Sequence, residues 1–553
     1  MSDDAVLADR GPSTLAPRAW PVETVLCGML ALVSSSLAVL VVPQGGDLAA
    51  HLYRTNLVQH GVLIWDNLWF AGQYPLASYS LLYYLLAAVV GNAVLGIGGV
   101  VAASVLFASL LRREWHAVSR WPARMFAILL AGQAFTAAYP YDLGLATMLG
   151  TLWALQHRRL RVAGAATLLT LGISPLAFLF LLLALAGLFL RRLKFDRQTI
   201  AMAVAVAAAA GLQVTALALL PAPGLVYPYG AWRFAAGLAI VAVGVLLSLR
   251  GRAGWALASL FVVWAAASMV FYAVPSPVGH NIVRASVFLF PLMLVAAALA
   301  DFRPRWLAIT ALGGALAANV APYAPMLAVR SSSIDAQPSF WQPIIRFLHR
   351  RVGPDYRIEV VPTANHWEAD FLPRAGFALA RGWYRQLDMA DNPTLYQSQL
   401  TPAEYRRWLR RRAVRYVVLP HLPLEAIDAQ REARLLKSRS SGLKRVWGGA
   451  EATIYQLPRA TPLVSGPARA LLTRFNSTTI AGRVGRAGSY LLRVNYNRYW
   501  TVSPRGLCLR PAAHDLTLLT INHPTTFQLH AIEAPLEIVA DSIDSDTHCR
   551  RST

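Results

Sequence analysis

Between residues 43 and 75 the chain reads PQGGDLAAHLYRTNLVQHGVLIWDNLWFAGQYP, a polar, aromatic-rich interruption directly after the first apolar run. It carries Asp47, His51, Arg54, His60 and Asp66 among tryptophans and tyrosines that suit a membrane interface. Ionisable groups held against a bilayer are costly and mark working sites. Asp47 is the main candidate for acid/base work. His51 follows at i+4 and shares its face if the segment is helical. A carboxylate beside an imidazole can take the proton from a hydroxyl. The same position suits a helix cap ahead of 48–58, after the Gly45-Gly46 turn, and the two roles are compatible.

Other candidates stand at the ends of apolar runs. Asp142, in YPYDLG, is a second acid; on spacing alone a helix cap is the simpler reading, and with Asp47 it could instead hold a divalent cation or orient a phosphate. Arg284 opens a run in GHNIVR beside His280 and Asn281. An arginine there needs an anionic partner or a route for its charge to reach water. A phosphate suits its fork of donors. Arg54 and Arg233 carry weaker versions of the same reading. In NHWEAD a strand would turn His366, Glu368 and Asp370 to one side as a metal cluster, although a hydrogen-bonded edge is the commoner outcome. No P-loop, GxGxxG, HExxH or nucleophile elbow is present, which removes support for nucleotide hydrolysis and serine-hydrolase chemistry.

These groups need a scaffold, and composition names its kind. The 553 residues are 56% hydrophobic and 14% charged, too few charges to cover a soluble protein of this size, so a polytopic membrane protein is expected. The net charge of +23 does not point to nucleic acid, because the arginines cluster in short loops between apolar runs and no reader motif accompanies them. Five such clusters, from Arg112-Arg113 to Arg303 and Arg305, should face the cytoplasm. The nearly uncharged loops at 139–143, 174–175, 221–232 and 275–284 should face outward. That alternation requires 76–90 to be an interfacial or re-entrant helix. It predicts about eleven spans: 22–42, 93–111, 124–138, 143–157, 161–173, 175–190, 199–220, 232–249, 254–274, 284–300 and 306–322. The expected organisation is a cytoplasmic tail over 1–21, a membrane domain over 22–329 with a first outer loop at 43–92, and an extracytoplasmic domain over 330–553.

In that last domain YRIEVVP predicts a strand, TPAEYRRWLRRRAV a helix capped by Thr401 with Glu404 in its first turn, and RYVVLP a buried strand. Together they suggest a small α/β layer. SYLLRVNYNRYWTV and DLTLLTINHPTTFQLHAIEAP alternate with period two, as in an antiparallel β-sandwich. Cys27 should pack as a small hydrophobe, whereas Cys508 and Cys549 are available for a disulfide if the domain lies outside the cytoplasm.

The run GGDLAAHLYRTNLVQHGVLIWDNLWFAGQYPLASYSLLYYL resembles the first outer loop of GT-C glycosyltransferases, in its Asp47, His51 and Arg54 start, its Trp65-Asp66, Trp69, Gly72 and Pro75 middle and its aromatic helix start. It is most similar to the bacterial branch related to 6-pyruvoyl-tetrahydropterin synthase and to YfhO-like membrane proteins. HWEADFLP, LARGWYRQLD and YRRWLRRRAVRYVVLP resemble the outer domain of actinobacterial members. The resemblance implies transfer of a sugar from a polyprenyl-phosphate donor to a cell-envelope glycan or glycolipid on the outer face of the plasma membrane, inverting for a single-base site. It implies Asp47 as base, Arg284 at the donor phosphate and Asp142 as second acid; His51 beside Asp47, and His280 and Arg54 with Arg284, join them from the placement of the residues themselves. The sequence departs from the metal-dependent branches in lacking an obvious DxD or DE pair, so no cofactor is assigned and a divalent cation stays an open alternative. Membrane lipids are the other expected partners, and nucleic acid is not one. A transporter or flippase for lipid-linked saccharides, or a scaffold binding cell-wall polymer, are the competing readings; neither needs Asp47.

Overall fold

The computed structural model of the protein describes residues 19–41, 46–76, 79–193, 195–221, 226–300, 305–321, 334–535 and 537–538. Residues 1–18, Gly45, the expected domain boundary near residue 330 and Cys549 lie outside the described residues.

The N-terminal part is a bundle of apolar helices. They are α1 (Ala19–Val41), α2 (Leu48–Gln59), α3 (Tyr83–Val90), α4 (Asn92–Trp115), α5 (Arg120–Ala131), α6 (Tyr139–Gln156) and α7 (Leu160–Ile173). There follow α8 (Pro175–Arg192), α9 (Arg197–Leu219), α10 (Ala231–Arg250), α11 (Gly254–Ala273), α12 (Ser286–Leu299) and α13 (Arg305–Val320). Among the described residues, six segments are long and apolar enough to cross a membrane, one of them running unbroken in composition through α4 and α5; α7 and α8 are shorter apolar helices. A helix overlaps each of the eleven expected segments, but crossing length and composition hold for fewer. The eight residues of α3 rise only about 12 Å, too little to span a bilayer.

The bundle packs through small residues. Cys27, Ala31 and Ser35 of α1 recur every fourth position and are fully buried, so α1 can press closely on its neighbours. Cys27 is a free thiol, packed as expected. Gly99 of α4 lies against the first turn of α6, where an added Cβ would fall 2.8 Å from the backbone nitrogen of Leu143. That close crossing sets the depth of Asp142.

The two ends of the bundle differ in charge. One end gathers the basic loops: Arg124 pairs with Glu23 at 2.7 Å, Arg191 with Glu114 at 2.7 Å, and Gly251 bridges Ala300. At the other end lie the nearly uncharged loops and the C-terminal domain. Ser80 donates to the Ile173 carbonyl there, and the Tyr499 hydroxyl donates to the Leu219 carbonyl.

The C-terminal domain has two parts. A four-stranded sheet of order β1-β2-β4-β3 joins β1 (Arg357–Val360) parallel to β2 (Val414–Pro420), with β3 (Lys444–Gly448) and β4 (Ala452–Gln456) antiparallel. The helix Pro402–Arg411 between the first two strands opens on the expected capping box, Thr401 with Glu404. Two further four-stranded sheets, β10-β11-β8-β5 and β6-β7-β12-β9, form the sandwich. Its strands are β5 (Val464–Ser465), β6 (Ala470–Phe475), β7 (Thr479–Val484), β8 (Gly488–Asn495), β9 (Trp500–Ser503), β10 (Cys508–Pro511), β11 (Leu516–Ile521) and β12 (Thr525–Ala531). Their inward residues, among them Tyr490, Trp500, Leu519 and Leu529, share one core with Ile64 and Trp65 of the first outer loop. Cys508 is disulfide-bonded.

Candidate active site

The segment from Asp47 to Tyr74, between α1 and α3, is clamped between bundle and C-terminal domain. The α/β part reaches it through Leu379, whose N–H donates to the Leu68 carbonyl at 2.8 Å, and Trp69, whose indole donates to the Ala369 carbonyl at 3.1 Å. Gly382 lies flat on Trp69; a Cβ there would fall 2.5 Å from the ring. The sandwich holds it through Glu533, which accepts the backbone N–H groups of Leu63, Ile64 and Trp65 at 2.6, 2.6 and 3.2 Å. Asp66 accepts from the Tyr53 hydroxyl at 3.0 Å and the Leu68 N–H at 3.1 Å, so it shapes the loop. Burial pushes its carboxyl up to about 6 despite those bonds. His60 is exposed and bonds back to the Asn56 carbonyl at the end of α2.

Asp47 stands at the start of α2, but its side chain makes no capping bond. Oδ1 instead accepts the indole N–H of Trp383 at 3.1 Å, across 336 positions of sequence. Oδ2 has no hydrogen-bond partner among the described residues, and Asp47 is partly exposed. His51 does not complete a pair with it. Its Nδ1 shares the hydroxyls of Tyr84 at 3.0 Å and Tyr384 at 3.2 Å, which are 2.8 Å from each other. Tyr79, Tyr83 and Tyr139 complete the cage. Burial, then the charge of Arg54, push the imidazole down to about 3, so it stays neutral.

Arg284 is carried by a 3-10 turn, Gly279–Ala285, ahead of α12. Its guanidinium lies over the Tyr141 ring at 5.5 Å and faces the charges of Asp47 and Asp142. It is partly exposed and makes neither a hydrogen bond nor a close ion pair among the described residues. Asp142 is fully buried inside the first turn of α6, and among the described residues both its oxygens lack hydrogen-bond partners. Ala138, not Asp142, occupies the cap position, which removes the capping explanation for this acid as well.

The remaining candidates fall elsewhere. Arg54 is buried, donates to the Pro75 carbonyl and lies 4.8 Å from the Tyr384 ring centroid, within the aromatic cage. His280 bonds Arg233 at 2.9 Å, on the side towards Tyr227 and Tyr229. NHWEAD is not a strand. His366 turns into the left-handed region at φ 59° and Glu368 begins the helix Glu368–Arg374. Glu368 reaches back to the N–H and hydroxyl of Thr363, and Asp370 pairs with Arg374 at 2.7 Å. Among the described residues no group of three His, Cys, Asp or Glu side chains could hold a metal ion. Mg²⁺ commonly binds through one or two carboxylates with substrate phosphates, a role that the unpartnered oxygens of Asp142 and Asp47 Oδ2 would fit.

Trp383, Tyr384 and Gly382 carried no individual role in the sequence. Their contacts are all distant in the chain; the signal available was an aromatic pair beside a glycine in LARGWYRQLD. Below the polar groups, α4, α6, α8, α9, α11 and α12 enclose an apolar cavity of about 560 Å³. Phe180, Trp264 and Phe288 stack edge-on at its upper end, and Phe180 touches Tyr141. Neither Asp47 nor Arg284 lines it.

No protein-family model and no curated protein matches the chain. Among solved structures it is similar to the arabinofuranosyltransferase AftD from mycobacteria, at 15% identity and a TM-score of 0.44, over 80% of this chain and 40% of that one. The chain therefore spans less than half the length of that neighbour. At that distance the likeness assigns neither fold nor activity.

Proposed function

We propose that this protein is a GT-C-type membrane glycosyltransferase that moves a sugar from a polyprenyl-phosphate donor to a glycan or glycolipid acceptor on the outer face of the membrane. The observation that carries the reading is that Asp47 and Arg284, both partly exposed, face each other, and that among the described residues neither Asp47 Oδ2 nor the Arg284 guanidinium has a hydrogen-bond partner or a close ion pair. A free carboxylate oxygen beside a free cationic fork suits a hydroxyl losing its proton next to a departing phosphate. The acceptor oxygen attacks the anomeric carbon and its proton passes to Asp47. The bond from that carbon to the phosphate oxygen breaks, and its electron pair leaves with the polyprenyl phosphate, whose charge Arg284 meets. A single base acting this way favours inversion. Asp142 balances Arg284 from behind. The apolar cavity beneath Tyr141 suits a hydrocarbon tail.

The orientation rests on charge: the arginine-rich end faces the cytoplasm by the positive-inside rule, which puts the site outside. The test is Asp47→Asn, which retains an oxygen for Trp383. In nanodiscs supplied with a radiolabelled polyprenyl-phosphate sugar and envelope acceptors, transfer should fall by about 10²- to 10⁴-fold at normal insertion. Full transfer by the variant overturns the reading. Lipid-linked saccharide movement that survives the substitution, without transfer by the wild type, would favour a transporter.

A further inference from the structure

Asp47 has one oxygen engaged and one free, and the engaging group comes from the far domain. Trp383 is nearly buried, and its ring lies flat on His366, with centroids 3.2 Å apart and planes 14° apart. His366 Nδ1 stands 3.4 Å from Glu368 Oε1, and Glu368 is held by the Thr363 hydroxyl at 2.7 Å. Gly382 admits the preceding backbone against Trp69, and Tyr384 on the other side is tied to His51. The indole therefore has almost no rotational freedom, although a bond that merely docked two domains would not need such a braced donor.

We propose that Trp383 is a positioning residue for the base: its indole N–H fixes Asp47 Oδ1 so that Oδ2 points at the acceptor hydroxyl, with Thr363, Glu368 and His366 bracing the indole. This rests on the reading of Asp47 as base. The titratable groups facing Asp47 are Arg284, His366, Tyr79, Tyr84 and Tyr384, and Trp383→Phe leaves them in place.

The experiment uses the full chain in nanodiscs with Trp383→Phe, which keeps an aromatic ring and removes the donor. In transfer assays kcat should fall about tenfold, the loss of one hydrogen bond to a charged group, with acceptor KM within about twofold. His366→Gln, which unstacks the indole but leaves its N–H, should give a smaller fall in kcat. A variant kcat equal to that of the wild type, or a rise in KM alone, overturns the proposal. A readout independent of turnover is the ¹⁵N-indole resonance of Trp383, assigned by its loss in the Phe variant. It should resist hydrogen exchange, and in Asp47→Ala it should exchange readily. An indole that exchanges freely in the wild type, or is unmoved in Asp47→Ala, overturns the proposal even for a protein that transfers no sugar. Absence of transfer with an indole protected by Asp47 counts against the glycosyltransferase reading and for the Trp383–Asp47 coupling.

Discussion

Replacing Glu533 by alanine removes one side chain that serves three backbone donors in the loop bearing the site. Ile64 and Trp65 are buried, so their N–H groups would lose their acceptor where water enters poorly; Leu63 is only partly buried and can rehydrate. At about 1–3 kcal/mol for each buried donor left without a partner, two donors with some rewetting cost about 3 kcal/mol. That is roughly a hundredfold rise in the population of the undocked loop. Glu533→Gln retains one acceptor oxygen and should cost about tenfold by the same reasoning. Hydrogen exchange of residues 60–76 in nanodiscs measures the change directly. The wild type should also show a pH dependence of known sign. Burial pushes the Glu533 carboxyl up to about 7, against the lowering effect of the three N–H groups. The docked state therefore holds its proton more tightly than the undocked one. Docking is strongest below the ordinary glutamate range, near 4.5, and weakens as pH rises to about 7. Asp66, raised to about 6, acts in the same direction. After correction for intrinsic exchange, protection should fall over that window and flatten in the Gln variant. Unchanged exchange in Glu533→Ala, or wild-type protection that rises with pH there, refutes the reasoning.

Further outcomes follow from the site. Arg284→Lys should retain a small part of transfer and Arg284→Gln almost none, because an ammonium supplies charge without the two-pronged geometry; equal activity of Lys and wild type in donor titrations would show that no fork is used. Gly382→Ala should lower transfer strongly without loss of insertion, since the methyl meets the Trp69 ring at 2.5 Å; tryptic cleavage between the domains would report their separation. His51→Gln should reduce kcat yet leave the shape of the pH–rate profile between pH 5 and 8 unchanged, because an imidazole held at about 3 does not titrate there. A limb near pH 6 that disappears in this variant would contradict the neutral cage.

Much of the scaffold was legible because its causes are local. The Thr401–Glu404 capping box lies within four residues, RYVVLP is a buried strand by composition, and the arginine clusters separate the ends of the bundle. The strand considered for NHWEAD does not form, although its acids are hydrogen-bonded or paired as the commoner reading expected: Glu368 is drawn back to Thr363, and the backbone at His366 curls to allow it. Spacing could not show that the Asp47 side chain leaves the cap unmade, because the partner it turns to, Trp383, is 336 positions away. Arg54 carried a weaker version of the Arg284 reading in sequence; the rings of Tyr384 and Trp69 that enclose it became visible only in three dimensions.

The bond from Glu533 to Leu63 spans 470 positions. During synthesis the segment around Trp65 must wait, without its sandwich partner, until β12 and the residues beyond it have been delivered to the same side of the bilayer. Closing so wide a loop is slow, and the half-made protein would expose tryptophans beside the membrane meanwhile. A nascent chain stalled before residue 533 would thus carry every span and yet offer proteases an open hinge beside its carboxylate.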